Sequence, residues 1–123
     1  MLYDGVLVGV REYRWSYSIG VWQVETGKVF ISLYIVAINL SNEQQSFSIF
    51  DFDLVDGGGE ISGRAFVEPR EPGFEDCTIL PGGSCEGWWT TYIWDRPEVR
   101  ESITLRWQPD FGDPIQTVAV EVE

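Results

Sequence analysis

The chain has 123 residues, 44% hydrophobic and 15% aromatic, with 20 acidic against 8 basic side chains and a formal net charge of -12. This length suits one domain with one core, and so apolar a composition excludes a disordered chain despite the charge. The acidity repels nucleic-acid phosphate and anionic membrane surfaces, and no stretch approaches the roughly 20 apolar residues that span a bilayer.

In chain order, Val6, Val8 and Val10 alternate with Leu7, Gly9 and Arg11 and predict a first strand over 5–13. Residues 14–22 are aromatic and polar by turns and predict a long loop or a short edge strand, closed by a turn at Glu25-Thr26-Gly27. The longest apolar run then extends from Gly27 to Asn39. It is β-branched and aromatic, and after Lys28 only Ser32 interrupts it, so it predicts a central strand. The turn cluster Asn39-Leu40-Ser41-Asn42 ends it; Asn39-Leu40-Ser41 also matches a glycosylation sequon, though the strand-end turn is the preferred reading.

Phe47 and Ile49 share one parity and Phe50, Phe52 and Leu54 the other, a phase shift that predicts a β-bulge. The turn Asp56-Gly57-Gly58-Gly59 leads to an expected return strand over 60–67. Prolines at 69 and 72 put 68–73 in a surface loop. Strands are expected over 77–80 and 85–94, separated by Pro81-Gly82-Gly83, with the second ended by Asp95-Arg96-Pro97-Glu98. Ile103, Leu105 and Trp107 predict a half-buried strand, 109–114 a last turn, and Val118, Val120 and Val122 a final strand. No helical periodicity of useful length occurs. The expectation is a single all-β domain over 1–123, a two-layer antiparallel sandwich of seven to eight strands.

Cys77 and Cys85 flank a segment with a Pro-Gly-Gly turn near its middle, so a hairpin would set the sulfurs opposite each other. A disulfide there stabilises by roughly 2–3 kcal/mol on the chain-entropy model and implies an oxidising compartment. The alternative is a pair of ordinary half-buried thiols. The start Met1-Leu2-Tyr3-Asp4 has neither a basic region nor a long apolar core, which leaves a cytosolic chain or one whose export signal or lipid anchor has been removed. The cysteines favour the second, an extracellular or cell-envelope protein.

The landmarks Gly27, Asn39 and Ser41, the segment Asp51, Phe52, Leu54 and Asp56, the run Leu80-Pro81-Gly82-Gly83, and Gly87 with Trp88 follow one another in an order and spacing that resembles the domain-of-unknown-function family DUF4352. The resemblance covers the chain from about Gly5 to its end. It implies an immunoglobulin-like β-sandwich, similar to that of the mycobacterial secreted immunogenic antigens, in lipoproteins and secreted proteins, with no established activity. Its motifs are turn and core positions and carry over no catalytic residue; the cysteine pair and the six tryptophans lie outside them.

The chain has no histidine, which excludes the usual serine triads, cysteine-histidine pairs and histidine-containing metal sites. Paired carboxylates are inevitable among twenty, so a small hydrolase stays only as a remote alternative and no enzyme is expected. No cofactor is expected. Asp51, Asp53, Asp56 and Glu60 are a weak calcium candidate, because hard cations take several oxygens; the competing reading makes Asp51 and Asp53 the solvent face of a strand whose other face is Phe52 and Leu54. Trp88 and Trp89 are adjacent and point to opposite faces, so some tryptophans belong to the core. Those left exposed among Trp15, Trp22, Trp88, Trp89, Trp94 and Trp107 would form a surface for a sugar or a partner protein. The favoured reading is therefore a non-catalytic interaction or scaffold module with an unknown protein partner, and the alternative is a carbohydrate-binding module.

Overall fold

The computed structural model describes every residue except Phe66, Glu68, Pro69, Phe111 and Glu123. Those five fall within the expected return strand, proline loop, last turn and C-terminus, and lie outside the described residues. Two four-stranded antiparallel sheets form an immunoglobulin-like β-sandwich. The first sheet has the order β1 (Leu2–Tyr3), β2 (Val6–Ser16), β5 (Lys28–Asn39), β10 (Ser84–Trp94). The second has the order β12 (Gln116–Val120), β11 (Ile103–Trp107), β7 (Phe52–Val55), β8 (Ile61–Ser62). Two small pairs complete it, β3 (Ser18–Ile19) with β4 (Trp22–Gln23) and β6 (Gln45–Phe47) with β9 (Cys77–Ile79). Four of these twelve strands have only two residues, which leaves eight longer ones among the described residues.

β5 is the spine because it is buried on both faces. Val29, Ile31, Leu33, Ile35 and Ala37 point inward to the second sheet, where Leu54, Phe52, Ile103, Leu105 and Trp107 meet them. Phe30, Ser32 and Tyr34 point outward and are buried as well. The outer hydroxyls are satisfied by pairing across the ladder: Ser32 Oγ lies 2.8 Å from Thr90 Oγ1 in the directly opposite position. Cover on that face comes from the chain itself. The Arg11 guanidinium lies 4.2 Å from the Tyr34 ring centroid, Trp88 meets Tyr34 edge-on, and Arg14, Ser18, Ile19, Arg70 and Glu71 line a cavity with Trp88.

Several local expectations are corrected. The phase shift between Phe47 and Phe52 comes from a 3-10 turn, Ile49–Asp51, rather than a bulge: the Ser48 hydroxyl accepts from Phe50 N–H, and the Ser48 N–H donates to the Asp51 carboxylate. Among the described residues a register shift of the kind a bulge makes lies instead in β2, between Val10 and Glu12. The return strand after Gly59 is only Ile61–Ser62. Residues 14–22 carry β2 as far as Ser16 before the small β3–β4 hairpin. After β10 the chain makes one helical turn, α1 (Pro97–Arg100), with Pro at the start of the turn, where its missing N–H is harmless. Val99 of α1 is buried, and Gly57 N–H donates to Val99 O at 2.9 Å; a Cβ at Gly57 would collide with the Glu98 carbonyl, so only glycine admits the helix there.

The segment 77–85 is not a hairpin. β9 pairs with β6 while β10 pairs with β5, and the Pro81-Gly82-Gly83 turn carries the chain from one sheet to the other. Cys77 and Cys85 nevertheless form a disulfide, with Cα atoms 6.8 Å apart, and so bind the small pair to the spine sheet. Asn39 anchors the same junction. Fully buried, it donates from Nδ2 to Glu43 O and Ile79 O, and its Oδ1 accepts from Ser41 N–H and the Ser41 hydroxyl. Its main chain bonds Gly82 and Gly83.

Candidate functional site

One end of the first sheet gathers aromatic and cationic side chains where β2 finishes, β5 begins and β10 finishes. Antiparallel register sets Lys28 opposite Trp94 and Phe30 opposite Tyr92, so Lys28, Tyr92 and Trp94 rise from one face. The Lys28 ammonium sits 4.7 Å from the centroid of each of the two rings, and the Arg96 guanidinium lies 5.3 Å from that of Trp94. Beside them, Tyr17 donates to one Asp95 oxygen at 2.6 Å and Arg100 to the other at 2.7 Å, while Arg100 also covers the Trp15 ring at 4.2 Å. The Tyr17 bond, then Arg100, holds the Asp95 carboxyl below the usual carboxylate range, and the same bond raises the Tyr17 phenol.

A groove of about 330 Å³ adjoins this belt on the seam between β10 and β8, lined by Lys28, Tyr92 and Trp94 on one side and Glu60, Ser62 and Arg64 on the other. Aromatic faces, two cations and one carboxylate are recognition chemistry. Among the described residues no group of three histidine, cysteine, aspartate or glutamate side chains converges as a metal site.

The structure disperses the other predicted positions. Trp89 is 1% exposed on the inner face of β10 and donates from Nε1 to Ile49 O; Trp107 is 2% exposed, edge-on to Tyr3 and tilted against Phe47. Trp88 is on the outer face but only 8% exposed, edge-on to Tyr34 and bordered by Arg14, Ile19, Arg70 and Glu71. All three are corrected from surface candidates to core, where large rings bury most area. Trp15 is half-buried with Arg100 over its ring, and Trp94 is 37% exposed with Lys28 and Arg96 against it. Trp22 is 42% exposed at the tip of the β3–β4 hairpin, next to Val21 at 92%.

The calcium candidate is also corrected, because its carboxylates have separate local partners. Asp53 takes both Arg106 bonds, at 2.6 and 2.9 Å, across the β7–β11 ladder, and this pair raises Arg106. Asp56 is buried and accepts from Gly58 N–H and Glu60 N–H within its turn. Asp51 caps the 3-10 turn; burial pushes its carboxyl up, with Asp110 and Asp76 adding to the rise and the Ser48 N–H opposing it. Glu60 lines the seam groove.

Sequence reasoning missed Lys28, Tyr92, Asp95, Arg96 and Arg100. The i, i+2 spacing of Tyr92 and Trp94 put both on one face, but only the strand register brings Lys28 between them.

Solved structures share this fold at low sequence identity. ycdA, a candidate lipoprotein of Bacillus subtilis, matches with a TM-score of 0.77 and 14% identity over 96% of this chain, which spans 37% of ycdA. yjhA of Bacillus subtilis matches with 0.71 and 14% over 94% of this chain and 91% of its own. A functionally unknown protein of Listeria monocytogenes matches with 0.71 and 9% over 100% and 81%. No protein-family model and no curated protein matches the chain, so the likeness is one of fold.

Proposed function

We propose that this chain is a single, non-catalytic immunoglobulin-like module, secreted or held at the cell envelope, that works by protein-protein contact or as a scaffold. The Cys77–Cys85 disulfide carries the reading, because such bonds persist in oxidising compartments and are rare in the cytosol. The lipoprotein description of ycdA supports the same compartment. The lack of catalysis is supported by the employment of the notable carboxylates: Asp51, Asp53, Asp56 and Asp95 each hold a turn, a strand pair or a helix rather than face one another across a cleft.

The test is made in the native host. Intact cells are treated with a membrane-impermeant crosslinker, and thiols are alkylated before and after reduction. A disulfide-bonded chain that crosslinks to a discrete partner supports the reading; two free thiols in the cell, or a chain protected from the external reagent, sinks it. The glycan alternative is decided by titrating tryptophan fluorescence with polysaccharides. Trp22 and Trp94 are the exposed tryptophans that would report it: a saturable change supports the glycan alternative, and none with any polysaccharide sinks it.

A further inference from the structure

β10 is an edge strand, and part of its edge is covered by the chain itself. Trp88 N–H donates to Pro72 O, Phe74 N–H donates to Trp88 O, and Ala65 N–H donates to Thr90 O, each at 2.9 Å. In an antiparallel ladder alternate residues aim both main-chain groups to the same side. Asp95 N–H, of the other parity, accordingly donates to Gly27 O on the β5 side. Tyr92 and Trp94 therefore aim at the same edge as Trp88 and Thr90, but among the described residues the cover stops short of them. Trp94 O accepts from Arg96 N–H, whereas the Tyr92 N–H and C=O and the Trp94 N–H have no partner among the described residues. Unpaired strand edges are templates for an added strand.

This open stretch borders the seam groove. Arg64, in its wall, makes no ion pair among the described residues, in a chain with 20 acidic side chains. Lys28 is paired with Glu25 at 3.6 Å, which leaves Arg64 as the cation of the groove without an ion pair among the described residues, and Glu60 is the one carboxylate in the lining. An arginine without an ion pair in the wall of this groove favours a carboxylate on the occupant at that spot, while the net charge of -12 on each molecule opposes a second copy.

We propose that this groove receives an extended segment of a partner protein, which adds to the β10 edge at Tyr92 and sets a carboxylate side chain against Arg64. The inference deepens the interaction-module reading and depends on it. The neighbouring use of the same edge by 65 and 72–74 shows that it accepts main chain, and the groups at Tyr92 and Trp94 that no described residue bonds supply three further bonds.

The experiment uses the full chain, isotopically labelled, and a capped heptapeptide of alternating threonine and valine with a central glutamate. At saturation the Tyr92 and Trp94 amides should exchange about tenfold more slowly, and N-methylation of alternate peptide bonds should weaken binding about tenfold, the equivalent of one or two hydrogen bonds. Arg64→Glu should weaken the glutamate peptide and strengthen one with a central lysine, a reversal that misfolding cannot produce. The proposal is overturned if no peptide slows these amides or if the N-methylated peptide binds equally well. It is also overturned if the amides are protected in the free protein in a concentration-dependent way, which would mean a second copy, or if only oligosaccharides perturb Trp94. A chain that fails this test yet crosslinks to a partner elsewhere, as at Trp22, loses the groove and keeps the module.

Discussion

Replacing Gly87 by alanine tests how the 72–74 segment is held on β10. A Cβ on Gly87 would lie 2.5 Å from the Gly73 carbonyl carbon and 2.6 Å from its oxygen, and would press on the Phe74 nitrogen. These are main-chain atoms, so the segment must lift rather than swing a side chain aside. Lifting strains or breaks the Trp88–Pro72 and Phe74–Trp88 bonds, at about 1 kcal/mol each. It also loosens the buried Phe74 ring from its edge-on contact with Phe52, at a centroid distance of 5.5 Å. Complete loss of a buried Phe costs about 3–5 kcal/mol, so partial loosening adds about 1 kcal/mol and the total is about 3 kcal/mol. Urea unfolding followed by tryptophan fluorescence should show the midpoint falling by about 1–2 M at an unchanged slope. Gly9→Ala is the control, because its Cβ meets nothing within 4 Å and should change stability by no more than about 0.5 kcal/mol. Equal midpoints for the two variants would refute the close-approach argument.

Replacing Cys77 and Cys85 together by serine should cost about 2.5 kcal/mol, as the loop they close has a sequence separation of 8; a matching drop in the wild type on adding reductant identifies the bond as the cause. Carbon-detected carboxyl titration should find Asp51 above the ordinary 3.8 and Asp95 below it. For Asp95, whose folded value is depressed, the stabilisation is present above the unfolded value and is lost as pH falls through the folded one, so the deficit of Asp95→Asn should close only below about pH 4. Asp51 has the opposite sign: its raised value makes it a liability at neutral pH that protonation relieves, so its contribution should become more favourable as pH falls through its folded value toward the unfolded one. A double-mutant cycle on Asp53 and Arg106, both to alanine, should return a coupling of about 0.5–1 kcal/mol, because the bidentate pair is still a quarter to a third exposed.

The spine strand, the Asp56 turn, the tryptophan strand and the β11 alternation were readable from the residues, since burial and turn chemistry write themselves into period and composition. Long-range events were not. A phase shift at Phe47 looks the same whether a bulge or a 3-10 turn produces it, and only the Ser48–Asp51 capping pair separates them. Trp88 has the parity of an exposed side chain and is buried because side chains distant in sequence, Tyr34 and the Arg14, Ile19, Arg70 and Glu71 around it, crowd the outer face. The disulfide was predicted with the right partners by a wrong route, because the turn that closes it changes sheets instead of forming a hairpin. The aromatic and cationic belt depends on register, which a single strand's sequence does not carry.

Asn39 bears on how the chain matures. Both faces of its amide are occupied and the residue is inaccessible, so the Asn39-Leu40-Ser41 acceptor is closed to any transferase once the sandwich has formed. A sugar there could be added only before folding, and it would then block the junction that Asn39 ties. Asn39 is thus spent as a structural tie, and a glycan found at this position would mark chains that had not reached the native state.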